Sequence, residues 1–257
     1  MKVQARIVSA ARGARWLGEG WQLFRVAPLG WLALACVYLL GTNIVALVPA
    51  IGFVAALMMV PALTVGMMSA ARAAAHGAQP HVRMLAEGFQ GERRAQLGLG
   101  AVYFLLSMLV FGATALADQE GKLRSVLGGR APAEQLLPGD LLLPAAVFAL
   151  SYAPVLMMFW FAPPLAAWHS TGALKALFFS FVACVMNWRA FLAYGAAIAL
   201  MMMAVPLAAL LALRAIAGAE LGVAVASLVF PLLLLMLPTL FASFYVSYRD
   251  VFGVEKR

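Results

Sequence analysis

The sequence predicts an all-α polytopic membrane helix bundle with six transmembrane helices in three hairpins, plus an amphipathic N-terminal helix and short cytoplasmic-side helices. Three observations carry this expectation. Hydrophobic residues make up 65% of the chain and charged residues 11%, whereas a soluble domain carries about 25% charged residues and needs polar surface to cover its core. The apolar residues fall into long intervals free of ionised groups. The positive charges fall between those intervals in an asymmetric way.

A hydrocarbon core of about 30 Å needs roughly 20 apolar helical residues. The first interval, Val26 to Ala71, contains no Lys, Arg, Asp, Glu or His and is long enough for two helices, with Pro49-Ala50-Ile51-Gly52 as the turn between them. Ala95 to Ala117, Leu141 to Trp168, Ala190 to Leu213 and Leu221 to Tyr248 each supply one more. Residues 28–248 therefore read as the membrane domain, preceded by an amphipathic helix in 1–27 and followed by a tail, 249–257.

Orientation follows from the positive residues. With a cytoplasmic N-terminus, most Lys and Arg lie inside, in 2–25, 72–94, 175–189 and 249–257, while Lys122, Arg124, Arg130 and Arg214 lie outside. The acids divide evenly between the two sides. Both termini are thus expected in the cytoplasm. The net charge of +8 is explained by inner loops anchored to an anionic leaflet, and a nucleic-acid partner is not called for. Cys36 and Cys184 have no evident partners and read as reduced packing residues.

In the first segment Val3, Ile7, Ala10, Ala14, Leu17, Trp21 and Phe24 form one helical stripe opposite Arg12, Arg15, Glu19 and Gln22. That pattern suits a helix lying in the plane of the inner leaflet with its arginines at the phosphates. It would serve as an anchor for the first span or as a lipid or partner dock. After the second span, Pro80 and the facing Val82, Leu85 and Phe89 predict a short cytoplasmic helix ending near Gly91. His76 and His81 do not share a helical face and have no third ligand near them, so they do not make a metal site. Between Leu116 and Leu141 lies one sizeable outside loop, expected to be solvated. Ala176 to Met186 is apolar on nearly all sides and too short to span, which fits a re-entrant or bundle-buried helix. Each even-numbered span also carries a proline eleven residues before a cation (Pro61 and Arg72, Pro164 and Lys175, Pro238 and Arg249), the basis for three hairpins of common plan.

Three stretches resemble a family of uncharacterised bacterial inner-membrane proteins with six spans. They are VPALTVGMMSAARAAAHGAQPHVRMLAEGF (Val60 to Phe89), FAPPLAAWHSTGALKALFFSFVACVMNWR (Phe161 to Arg189) and SFYVSYRDVFG (Ser243 to Gly253). The resemblance implies the topology and no activity.

No Asp, Glu, Lys or Arg lies inside any expected span. That leaves no paired carboxylates for acid–base work and no ionisable group for proton or sodium coupling. His169, next to Ser170 and Thr171, is the one candidate base, and Asp250 the one acid able to reach it. Otherwise Trp168 and His169 are an interfacial pair capping the fourth span. Asn187, Trp188, Arg189, Tyr248, Arg249 and Asp250 meet the same interface, with Lys175 nearby. Arginine as a fork and an aromatic ring as a platform suit a phosphate headgroup or an acidic segment of a partner. The same residues suit plain anchoring of helix ends, the commoner role for such groups. Gly98, Gly100, Gly195 with Ala196 and Ala197, and Ala145-Ala146 are expected helix contacts. The expected function is therefore non-enzymatic, without cofactor or metal: an accessory, scaffold or lipid-interacting inner-membrane component. Its partners would be lipids of the anionic leaflet, with a protein partner or a second copy left open. A transporter or permease-like subunit for a lipid or small solute is the rival.

Overall fold

Proline and glycine set the limits of the first elements in the computed structural model, which describes residues 4–130, 137–217 and 222–253. Helix α1 (Ala10–Val26) gives way at Ala27 to α2 (Pro28–Ala46), whose first turn takes the proline that needs no backbone donor there. The expected turn follows, with Ala50 at a φ of +66°. Then come α3 (Gly52–Ala75), a 3-10 helix (Val82–Phe89), α4 (Arg93–Ala117), the short α5 (Lys122–Leu127), α6 (Pro138–His169), α7 (Ala173–Met186), α8 (Trp188–Ala217) and α9 (Gly222–Phe252). Among the described residues there is no strand.

Among the described residues, five helices are long and apolar enough to cross a membrane: α2, α3, α4, α6 and the first 18 residues of α8. The sixth expected segment falls in α9, 31 residues long, or about 46 Å at 1.5 Å per residue. Part of it lies outside the residues whose side chains are described. Arg249 and Asp250, expected in the tail, stand in the last turn of α9, and residues 254–257 lie outside the described residues.

Large side chains are buried toward the arginine-rich end, here called the inner end. In α3 the buried run is Pro61 to Leu63 and Val65 to Ala71, and in α6 it is Phe161 to Ala166. Toward the opposite end Leu40, Ile44, Leu109, Leu150, Leu200 and Met203 are exposed, as lipid-facing residues are. At the level of Trp160 the space between helices is filled by rings: Trp160 packs on Phe191, Tyr194 and Phe244, and Trp16 packs edge-on to Phe191 and Tyr194.

Helix α1 is wedged between the inner ends of α8 and α9. Its buried face is Gly13, Trp16, Gly20 and Phe24, which shares only Phe24 with the stripe read from hydropathy. A Cβ on Gly13 would run into the Ala190 carbonyl of α8, and one on Gly20 would lie 2.6 Å from the Thr239 carbonyl of α9. The glycines let the backbones touch. The apolar stripe is instead mostly exposed: Ile7 is 72% exposed and Trp21 48%, on a flank between the packed face and the polar one. The N-terminal segment is tied down as well. The Arg6 amide donates to the Val251 carbonyl at 2.7 Å, which places the N-terminal segment and the end of α9 at the same end of the bundle.

Helix α7 folds back on α6 through a turn in which Ser170 takes φ +50°. It is neither fully buried nor long enough to cross. Ala176, Leu177, Ser180, Ala183 and Cys184 are buried, and Ser180 fixes the pair by accepting from the Phe161 amide (2.9 Å) and donating to the Met157 carbonyl (2.7 Å). Leu174, Phe178, Phe181 and Val185 form an exposed apolar face. The loop after α4, expected to be solvated, is built at its start. The Asp118 carboxylate accepts from the Leu123 and Arg124 amides (3.2 and 2.9 Å), capping α5. These bonds, that from the Arg124 backbone foremost, hold its pKa below the usual carboxylate value.

Gly100 meets the Met58 backbone and Gly98 lies 3.2 Å from the Ala173 methyl, as expected of helix contacts. Gly195 has nothing within 4 Å and Ala145 and Ala146 are exposed, so these residues make no close helix contact in the monomer.

Candidate functional site

The residues read from the sequence as one patch separate into three groups. The first is an aromatic and polar cap on α6 and α9. His169, the last residue of α6, shares a 2.6 Å hydrogen bond with the Tyr248 hydroxyl, and Trp168 packs edge-on against Tyr248 at 5.2 Å. The Arg72 guanidinium, from the last turn of α3, lies over the Trp168 ring at 5.4 Å. Arg72 and Trp168 line a cleft of about 520 Å³ together with Ser69, His76, Met84 and Glu87. Among the described residues Arg72 makes no ion pair. Its place at the end of α3 left it outside the sequence-derived patch, although its match in spacing with Lys175 and Arg249 was visible.

The second group locks α1 to α9. The Asp250 carboxylate accepts from Arg12 Nε at 2.8 Å and from the Trp16 indole at 2.9 Å. Glu19 accepts from Arg12 and from Arg249, each at 2.7 Å. Two arginines and two acids thus balance in one network. Partial burial works against the charge of Arg12, but hydrogen bonds to Glu19 and Asp250 outweigh it and raise the guanidinium pKa further above its ordinary value. Arg12 was expected at the lipid phosphates; its partners lie across the bundle because the glycine face, not the hydropathy stripe, sets the rotation of the helix. His169 and Asp250 do not pair: His169 bonds Tyr248, and Asp250 bonds Arg12 and Trp16.

The third group is dispersed. Asn187 is 1% exposed and fully occupied. Its side-chain oxygen accepts from the Val8 amide at 2.8 Å, and its nitrogen donates to the Arg6 and Ala183 carbonyls at 3.0 and 2.9 Å. It ends α7 and pins the N-terminal segment, a role of position. Trp188 is 53% exposed with Arg189 stacked on it at 5.3 Å, and the exposed Lys175 lies over Phe179 at 5.6 Å. These three face outward and do not join the cleft. Among the described residues no three His, Cys, Asp or Glu side chains come together as metal ligands.

The chain is 39% identical, over 97% of its own length and 94% of the other's, to a "Probable inner membrane protein" of Burkholderia thailandensis. No family model and no solved structure matches it. The chain belongs to the family of that protein, and with its span-length helices it is an integral inner-membrane protein.

Proposed function

We propose that this family member is a non-enzymatic, lipid-interacting component of the inner membrane, with its working surface on the cytoplasmic face and both termini in the cytoplasm. The observation that carries the reading is Arg72, a cation without an ionic partner among the described residues, held over Trp168 in a cleft at helix ends where headgroups lie. Fork and platform suit a phospholipid phosphate. Lys175, Trp188 and Arg189, exposed on the same end, add the contacts of an anchor to the anionic leaflet. A permease-like subunit calls for a polar cavity reaching the midplane, and the packing of Trp160 on Phe191, Tyr194 and Phe244 supports the lipid-interacting reading over it.

Native mass spectrometry of the detergent-extracted protein tests the proposal. The expected result is retained anionic phospholipid, with retention falling about tenfold in Arg72→Gln, the loss of one charge-assisted hydrogen bond. Retention of a stoichiometric companion protein and no lipid would replace this reading with that of a scaffold.

A further inference from the structure

We infer, resting on the lipid-binding reading of the Arg72–Trp168 cleft, that this cleft selects phosphatidylglycerol, with the phosphate at Arg72 and the headgroup hydroxyls at Glu87. Three elements build it. Ser69, Arg72 and His76 line it from α3 and its C-cap, Met84 and Glu87 from the 3-10 helix, and Trp168 from α6. A phosphate alone accounts for Arg72 and Trp168. It does not account for a carboxylate in the same cleft.

The wall that carries Glu87 is fixed by two glycines. A Cβ on Gly66 of α3 would lie 2.5 Å from Leu85 Cα, and one on Gly88 would run into the Ala62 carbonyl of α3. The 3-10 helix therefore lies backbone to backbone on α3, with Leu85 and Gly88 buried and Glu87 on the exposed side of the same turn. Glu87 makes no ion pair among the described residues. A carboxylate only accepts, so it repels a bound phosphate unless the ligand also brings donors. Its two oxygens can accept from both hydroxyls of a terminal glycerol. His76 offers a further place: its Nδ1 lies 2.7 Å from the Arg72 carbonyl, which only accepts, so Nδ1 carries a proton and Nε2 is left for a ligand hydroxyl.

The donor could in principle be the ammonium of an ethanolamine headgroup, and the charge around the cleft disfavours it. The stretch from Arg72 to Arg94 carries Arg72, Arg83, Arg93 and Arg94 against Glu87 and Glu92. None of these six makes an ion pair among the described residues. Four cations against two acids favour a headgroup of net negative charge, and a zwitterion has none. The face of Trp168, the other seat for an ammonium, is already covered by Arg72. A glycerol headgroup brings donors without bringing a positive charge.

Full-length protein in detergent would be offered three lipids with identical acyl chains and read by native mass spectrometry. They are phosphatidylglycerol, phosphatidylpropanol (the same charge without the hydroxyls) and phosphatidylethanolamine. Phosphatidylglycerol should be bound about tenfold more tightly than phosphatidylpropanol, the worth of a hydrogen bond to a charged group. Glu87→Ala, at an exposed position, should remove that preference while phosphatidylpropanol still binds. Arg72→Gln should weaken both anionic lipids and keep their ratio. Equal binding of the two anionic lipids, a preference that survives Glu87→Ala, or phosphatidylethanolamine bound as tightly as phosphatidylglycerol would each overturn the headgroup assignment. If Arg72→Gln still weakens binding in those cases, the lipid-binding reading of the cleft stands without it. No lipid bound, or binding indifferent to Arg72→Gln, would overturn both.

Discussion

The inner and outer halves of this bundle are built from the same kind of helix and held by different means. At the inner end residue identity matters: Gly13 and Gly20 admit α1, Trp16 fills the space behind it, and Asp250 accepts from both Trp16 and Arg12. Toward the outer end Leu150, Leu200 and Met203 face outward, and being apolar is enough. Lipid supplies no hydrophobic drive between helices, so close backbone approach and hydrogen bonds must supply it, and α1 meets α8 and α9 through both.

The sharpest test of that contrast is Trp16→Ala. The side chain is 0% exposed and bonded to Asp250, so unfolding in detergent should show a loss of about 3–5 kcal/mol. Leu200→Ala, at a position 68% exposed, should stay within about 0.5 kcal/mol. Next in size is a pair of glycines. Alanine normally gains about 1 kcal/mol over glycine inside a helix. Gly195→Ala, with open space around it, should therefore be neutral or stabilising in the same assay. Gly13→Ala should cost about 1–3 kcal/mol, because the Ala190 backbone has to move. Asp250→Asn should cost about 1–3 kcal/mol by stranding Arg12, and its melting temperature should depend less on salt than that of the parent. The smallest effect concerns the outer loop. Asp118 has a lowered pKa in the folded chain, so its bonds to α5 are fully present above the ordinary value of 3.8 and are lost as pH falls through the lowered one. Amide exchange at Leu123 and Arg124 should stay slow at neutral pH and quicken only in acid below that range.

Most of the fold was legible from the sequence because a membrane span needs only length and the absence of charge, and both are plain in Val26 to Ala71. The turn at Pro49 to Gly52 was legible from its composition. The rotation of α1 was not. Hydropathy ranks Ile7 and Trp21 above Gly13, but a glycine contributes close approach rather than apolar area, and no hydropathy stripe records that. Trp168 and His169 do end α6, as read, but the cation that meets Trp168, Arg72, lies about a hundred residues earlier in the chain. Asn187 read as a surface group because its partners, the backbone of Arg6 and Val8, become neighbours only on folding.

The central claim is that the packed, arginine-rich end faces the cytoplasm with both chain ends on it. It is tested most directly by labelling single cysteines with a membrane-impermeant maleimide, in a background where Cys36 and Cys184 are replaced. Ser9→Cys and His81→Cys should react only after the inner membrane is permeabilised, and Gln119→Cys in intact spheroplasts. Reaction of Ser9→Cys from the periplasmic side would contradict the account.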